Sequence, residues 1–85
     1  MDKILLEIIC PATAKTYDFW ISKKMSIEMV KQKVIDEIRN YEKNSNIFLD
    51  VSQIMFFDEK GNVLKCEKMS IEQLSIQSGQ RLMLI

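Results

Sequence analysis

Ser70-Ile71-Glu72-Gln73-Leu74-Ser75-Ile76-Gln77-Ser78-Gly79-Gln80-Arg81-Leu82-Met83-Leu84-Ile85 is the stretch whose reading decides the fold of this 85-residue chain. Ser70 to Leu74 has the character of a turn or short helix, Ser78-Gly79 reverses the chain, and Gln80 to Ile85 reads as a strand. The two-residue period puts Leu82 and Leu84 on one face of that strand, and Met83 and Ile85 on the other.

Outward from this closing strand, the N-terminal end supplies a matching pair. Lys3 to Cys10 and Thr16 to Ser22 are short, β-rich and alternating, and they flank Pro11-Ala12-Thr13-Ala14-Lys15, a segment with turn character. A β-hairpin is expected. Ile4, Leu6 and Ile8 of its first strand match Tyr17, Phe19 and Ile21 of its second as an inner set.

A helix is expected from Ile27 to about Glu42. Ser26 can cap it by accepting a bond from a free first-turn amide, and Glu28 favours the positive end of the helix dipole. Ile27, Val30, Val34, Ile38 and Tyr41 recur at spacings of three and four, forming one apolar stripe wide enough to cover a sheet face. Lys31, Lys33, Asp36, Glu37 and Arg39 fall to its sides or opposite. Lys43-Asn44-Ser45-Asn46 is the stop, and Ile47-Phe48-Leu49 in the following loop is expected to tuck beneath the helix end. Gln53 to Phe57 reads as a third strand, Asp58 to Asn62 as a turn, and Val63 to Cys66 as a short fourth strand. The order is strand, strand, helix, strand, strand, short helix, strand.

Composition narrows the chemistry. One domain over residues 1–85 is expected, burying roughly 60–65% of its unfolded surface. The chain is 47% hydrophobic and 28% charged, a globular balance without repeats or low-complexity tracts. Twelve basic residues offset twelve acidic ones, which argues against a nucleic acid partner, since polyanion binding draws on clustered Lys and Arg. The N-terminal stretch lacks the features of a signal peptide, and no run approaches the roughly 18–20 apolar residues of a membrane span, so a cytoplasmic location without membrane insertion is expected. With no histidine, Cys10 and Cys66 have no base to activate them, so no catalytic role is expected. No cluster has metal-ligand spacing and no glycine loop suits a phosphate, so no metal or cofactor is expected. The two cysteines, far apart in sequence, read as reduced, partly buried thiols.

Several segments resemble ubiquitin and its relatives of the β-grasp fold. Ser26-Ile27-Glu28-Met29-Val30-Lys31-Gln32-Lys33-Val34 is similar to ubiquitin's helix start, with an apolar residue, a Glu, a Val and two lysines at the same intervals. Ser70 to Leu84 resembles the short helix, buried Ile, turn and Leu-x-Leu strand that close the family's sheet. The resemblance implies an α+β, ubiquitin-like β-grasp fold: a mixed sheet of order 2-1-5-3-4 on one main helix, with a short helix before the last strand. Ile76, Gly79, Gln80, Arg81, Leu82, Leu84 and Ile85, with Ile54 to Asp58, look most like the YukD-type (EsaB-type) ubiquitin-like proteins of bacterial type VII secretion systems. Ubiquitin-like modifiers and sulfur carriers react through a tail ending in two glycines. Here the only glycines, Gly61 and Gly79, sit in turns, so a binding module rather than a covalent modifier is expected.

If the inner set faces the helix, the pleat sends Leu5, Ile9, Trp20, Met55, Phe57, Met83 and Ile85 the other way. Pairing about the Pro11 to Lys15 turn places Leu5 opposite Trp20. A contiguous apolar patch of several hundred Å² marks an interface, and Trp, Met and Phe are enriched at interface cores. A protein-interaction surface is therefore expected here, and the resemblance implies that its partners are cytoplasmic parts of a type VII secretion apparatus. Two other readings stand beside it: a modifier or sulfur carrier cut from a longer precursor, and a homodimer closed by this patch without a secretion role.

Overall fold

The alternating segments at the N-terminal end form β1 (Lys3–Cys10) and β2 (Lys15–Ser22), an antiparallel hairpin, in a computed structural model that describes residues 2–44, 46 and 50–85. The second strand starts one residue earlier than the sequence suggests, because Lys15 pairs with Cys10. The connection is tight: the Thr13 N–H donates to Cys10 O at 3.2 Å and the Ala14 N–H to Pro11 O at 3.1 Å. Leu6 lies opposite Phe19, and Leu5 opposite Trp20.

Helix α1 (Ile27–Glu42) begins where Ser26 accepts a hydrogen bond from the Met29 N–H at 3.2 Å. It ends at Lys43, whose left-handed backbone, at φ 55°, turns its N–H back onto the carbonyls of Arg39 and Asn40. Ile27, Val30, Val34 and Ile38 are buried as the spacing predicts. Ile35 joins them, widening the stripe. Tyr41 does not: it is 71% exposed, because in the last turn of the helix it meets the edge strand β2, where its ring rests edge-on against Tyr17 at 5.9 Å.

β3 (Phe56–Phe57) and β4 (Arg81–Leu84) complete a four-stranded sheet of order β2-β1-β4-β3. β4 runs parallel to β1 and antiparallel to β3, so the sheet is mixed. The expected five-stranded order 2-1-5-3-4 is therefore corrected. Val63 makes a single bridge to Phe57 and the Leu64 N–H donates to Phe56 O at 2.9 Å. Bonds from the Glu67 N–H to Lys65 O and from the Met69 N–H to Cys66 O then turn the chain away before a fourth strand can propagate.

The third strand is also shorter than Gln53 to Phe57. Asp50 caps a 3-10 turn, Val51–Gln53, by accepting from the Ser52 N–H at 3.1 Å, and this takes Gln53 out of the sheet. The last strand shrinks from Gln80–Ile85 to Arg81–Leu84. Its pairing nevertheless carries on for one residue, since Met55 and Ile85 exchange backbone bonds of 2.7 and 3.0 Å. In place of the short helix near Ser70 to Leu74 there is one hydrogen-bonded turn. Ser70 and Gln73 cap each other reciprocally there, and Ser75, at φ 57°, stops propagation.

The core lies between the sheet and α1. Leu6, Ile8, Phe19, Ile21, Phe56, Leu82 and Leu84 are buried as the inner set, joined by Cys10, Ile71 and Ile76, while Ile4, Tyr17 and Ile54 are part-buried at its margin. The predicted packing of Ile47, Phe48 and Leu49 lies outside the described residues.

Candidate interaction face

The sheet face turned away from α1 is built by the strand registers. Four rows cross it. Lys3 and Ser22 form the first, Trp20 and Leu5 the second, Asp18, Glu7 and Arg81 the third, which is the charged row, and Thr16, Ile9, Met83 and Phe57 the fourth. Met55 and Ile85 follow as the next pair along β3 and β4. Trp20 is 63% exposed and Ile85 52%, while Leu5, Ile9, Met55, Phe57 and Met83 are half-buried.

The seven residues singled out from the sequence thus share the face but do not form one patch. Ile9, Phe57, Met83 and Ile85 come together as the floor of a shallow groove of about 590 Å³, rimmed by Asp58, Glu59, Gly61 and Arg81. Met55 pairs with Ile85 but does not line this groove. Trp20 and Leu5 lie on the far side of the charged row.

That row is internally bonded. Arg81 Nε donates to Glu7 Oε2 at 3.1 Å, and the Arg81 backbone N–H donates to Glu59 Oε1 at 3.3 Å. Sequence reasoning missed Glu7 and Arg81 as parts of this face. The signal for Glu7 was present, since it interrupts the apolar run from Ile4 to Ile9 at an outward position.

The groove's acidic rim has a local cause. Asp58 Oδ1 accepts from the backbone N–H groups of Asn62 and Lys60, each at 2.9 Å, and these bonds, Asn62 foremost, hold the carboxyl below its ordinary range. The tight turn requires a positive φ of 85° at Gly61, where a side chain would be strained.

A second polar cluster joins the hairpin tip to the end of α1. Lys15 Nζ donates to both Glu42 carboxylate oxygens at 3.0 Å, and the Tyr17 hydroxyl donates to Glu42 Oε2 at 2.7 Å. Bonds from Tyr17 and Lys15 hold the Glu42 carboxyl below its usual range, and the bond to Glu42 raises Lys15. Desolvation foremost pushes the Tyr17 phenol up.

Both cysteines are free. Cys10 is buried, whereas Cys66 is exposed, contrary to the expectation that both would be partly buried. Among the described residues no group of three or more acidic, Cys or His side chains is placed to hold a metal, and no helix is long and apolar enough to cross a membrane.

No protein-family model and no curated protein matches the chain by sequence. Solved structures do match. Ubiquitin from Caldiarchaeum subterraneum superimposes with a TM-score of 0.72 at 18% identity, over 98% of this chain and 91% of that one. The UBL domain of Plasmodium falciparum Dsk2 gives 0.73 at 15% identity, over 96% and 95%. The ubiquitin-like domain of the Arabidopsis thaliana protein At2g32350 gives 0.71 at 13% identity, over 100% and 78%. The chain has the ubiquitin-like β-grasp fold, with a mixed four-stranded sheet and one α-helix among the described residues.

Proposed function

We propose that this chain is a ubiquitin-like protein-interaction module that acts by docking rather than by conjugation, as a cytoplasmic accessory or regulator of a bacterial type VII secretion system. The observation that carries the docking reading is the groove of Ile9, Phe57, Met83 and Ile85 on a sheet face that no element of the described residues covers. Docking of an apolar partner segment there would remove that floor from water, which is the usual source of affinity at an interface core. Ile85 belongs to the paired end of β3 and β4 through its two bonds to Met55, which fixes its place in the sheet beside the groove. The secretion assignment draws on the resemblance of Ile76, Gly79, Gln80, Arg81, Leu82, Leu84 and Ile85, with Ile54 to Asp58, to YukD-type proteins.

Capture of cytoplasmic secretion components by the wild-type protein tests the reading, and Trp20→Ala with Phe57→Ala should weaken that capture at least about tenfold, the loss of one to two interface anchors. Undiminished capture by the double variant would overturn the assignment of this face. The intact mass of the native protein tests the non-covalent part, and a longer product ending in two glycines would overturn it.

A further inference from the structure

We propose that the outer face also closes on a second copy of this chain, as a weak and reversible two-fold dimer that hides the groove from other partners. The proposal rests on reading this face as the docking surface, and it names an occupant for it. β1 and β4 are parallel neighbours, with Glu7 level with Arg81 and Ile9 level with Met83. A two-fold axis running along the strands, between β1 and β4, preserves height and exchanges left for right. It therefore lays Glu7 over Arg81 of the second copy, Arg81 over Glu7, and Ile9 over Met83.

The centre of the face, where β1 and β4 meet, is thus complementary to itself, while Asp18 and Glu59 at its flanks are both acidic. An isologous contact requires this property, because the same patch must serve both sides. Arg81 already meets Glu7 within the chain through Nε, and its planar fork offers further donors to the Glu7 carboxylate of the other copy. Aligned sheets cross at about 30°, which disturbs pairs near the axis least, and these four residues are the ones nearest it.

Size sets the strength. With β1 and β2 eight residues tall, β4 four and β3 two, strands about 4.8 Å apart and about 3.3 Å per residue give a face of about 350 Å² per copy, so about 700 Å² is buried in all. That falls below the roughly 1,200–2,000 Å² of standard stable interfaces, so the dimer should be weak enough for a foreign partner to displace it, with a dissociation constant between about 10 μM and 1 mM.

Sedimentation velocity from about 10 μM to about 1 mM reads the association directly, over the range set by interface size. The weight-average mass should rise with concentration. Glu7→Arg alone and Arg81→Glu alone each set like charges face to face and should raise the dissociation constant about tenfold or more, whereas the double exchange Glu7→Arg with Arg81→Glu should restore it to within about threefold. All three changes lie at exposed or half-exposed positions, and amide chemical shifts on dilution check the same face in the unmodified protein, with changes expected at Glu7, Ile9, Arg81 and Met83. A wild-type protein that stays monomeric throughout, a double exchange as weak as either single, or dilution shifts on another face would each overturn the dimer. Monomeric protein whose partner capture still depends on Trp20 and Phe57 would leave the docking reading intact. A dimer of this geometry that captures no secretion component would count against that reading alone.

Discussion

Lys31 is a cation at a core position. It sits among the buried residues of α1, 7% exposed, where sequence spacing placed it to the side of the apolar stripe. Its ammonium donates to the Ile54 carbonyl at 3.1 Å and lies 3.5 Å from Glu67. The Ile54 carbonyl belongs to the residue that links the 3-10 turn to β3, so this one side chain ties the edge of the sheet to the helix. Lys31→Ala removes the donor and leaves a partly buried carbonyl unbonded, and a loss of about 1–3 kcal/mol in unfolding free energy is expected. Urea titration at constant m-value measures it. Lys31→Met keeps most of the packed stem, so it should recover only the part of the loss that comes from packing. Full recovery would show that the hydrogen bond contributes nothing.

At the scale of elements, what was legible in the sequence was what local interactions determine. The hairpin and α1 were readable because a turn closes one and a cap starts the other, within a few residues. The edge of the sheet was not, because β3 is ended by a 3-10 turn at Asp50 and by the departure of the chain after Leu64, both matters of tertiary placement. The candidate face was half legible. The two-residue period identified its apolar residues, but the parallel register that puts Arg81 beside Glu7 joins segments 74 residues apart, and no local pattern encodes it. The junction of the hairpin tip with α1 carries its own prediction. Because the Glu42 carboxyl is held down, its contribution is present above the unfolded value of about 4.3 and is lost as pH falls through its lower folded value. Because Lys15 is raised, its contribution is present below about 10.4 and is lost as pH rises through its higher folded value. Melting temperature should therefore be flat from about pH 5 to 9 and decline at both ends. Glu42→Gln should reduce the alkaline decline by removing the partner of Lys15, leaving the part that comes from the desolvated Tyr17 phenol, and should leave part of the acid decline to Asp58, which is held down independently. An alkaline limb unchanged in Glu42→Gln would show that Lys15 gains nothing from this pair.

The whole molecule is one-sided, with α1 covering one sheet face and nothing among the described residues covering the other. Its radius of gyration is 12.0 Å, matching the roughly 12 Å typical of a chain this long, so the open face is not a sign of loose packing. The two faces should then differ sharply in what they contribute to folding. Phe56, 1% exposed, is the largest fully buried side chain among the described residues, and Phe56→Ala should cost about 3–5 kcal/mol, a large fraction of the roughly 4–13 kcal/mol expected for a domain of this length. Trp20, on the opposite face, is 63% exposed and stands opposite Leu5, a cross-strand pair of modest strength, so Trp20→Ala should cost about 0.2–1 kcal/mol and leave a folded protein. Urea unfolding of the two variants side by side measures the contrast. It also determines how losses of binding are to be interpreted: if Trp20→Ala proves as destabilising as Phe56→Ala, the indole is part of the structure, and a weakened capture by that variant reports folding rather than contact. If the contrast holds, a loss of capture by Trp20→Ala can be attributed to the face itself.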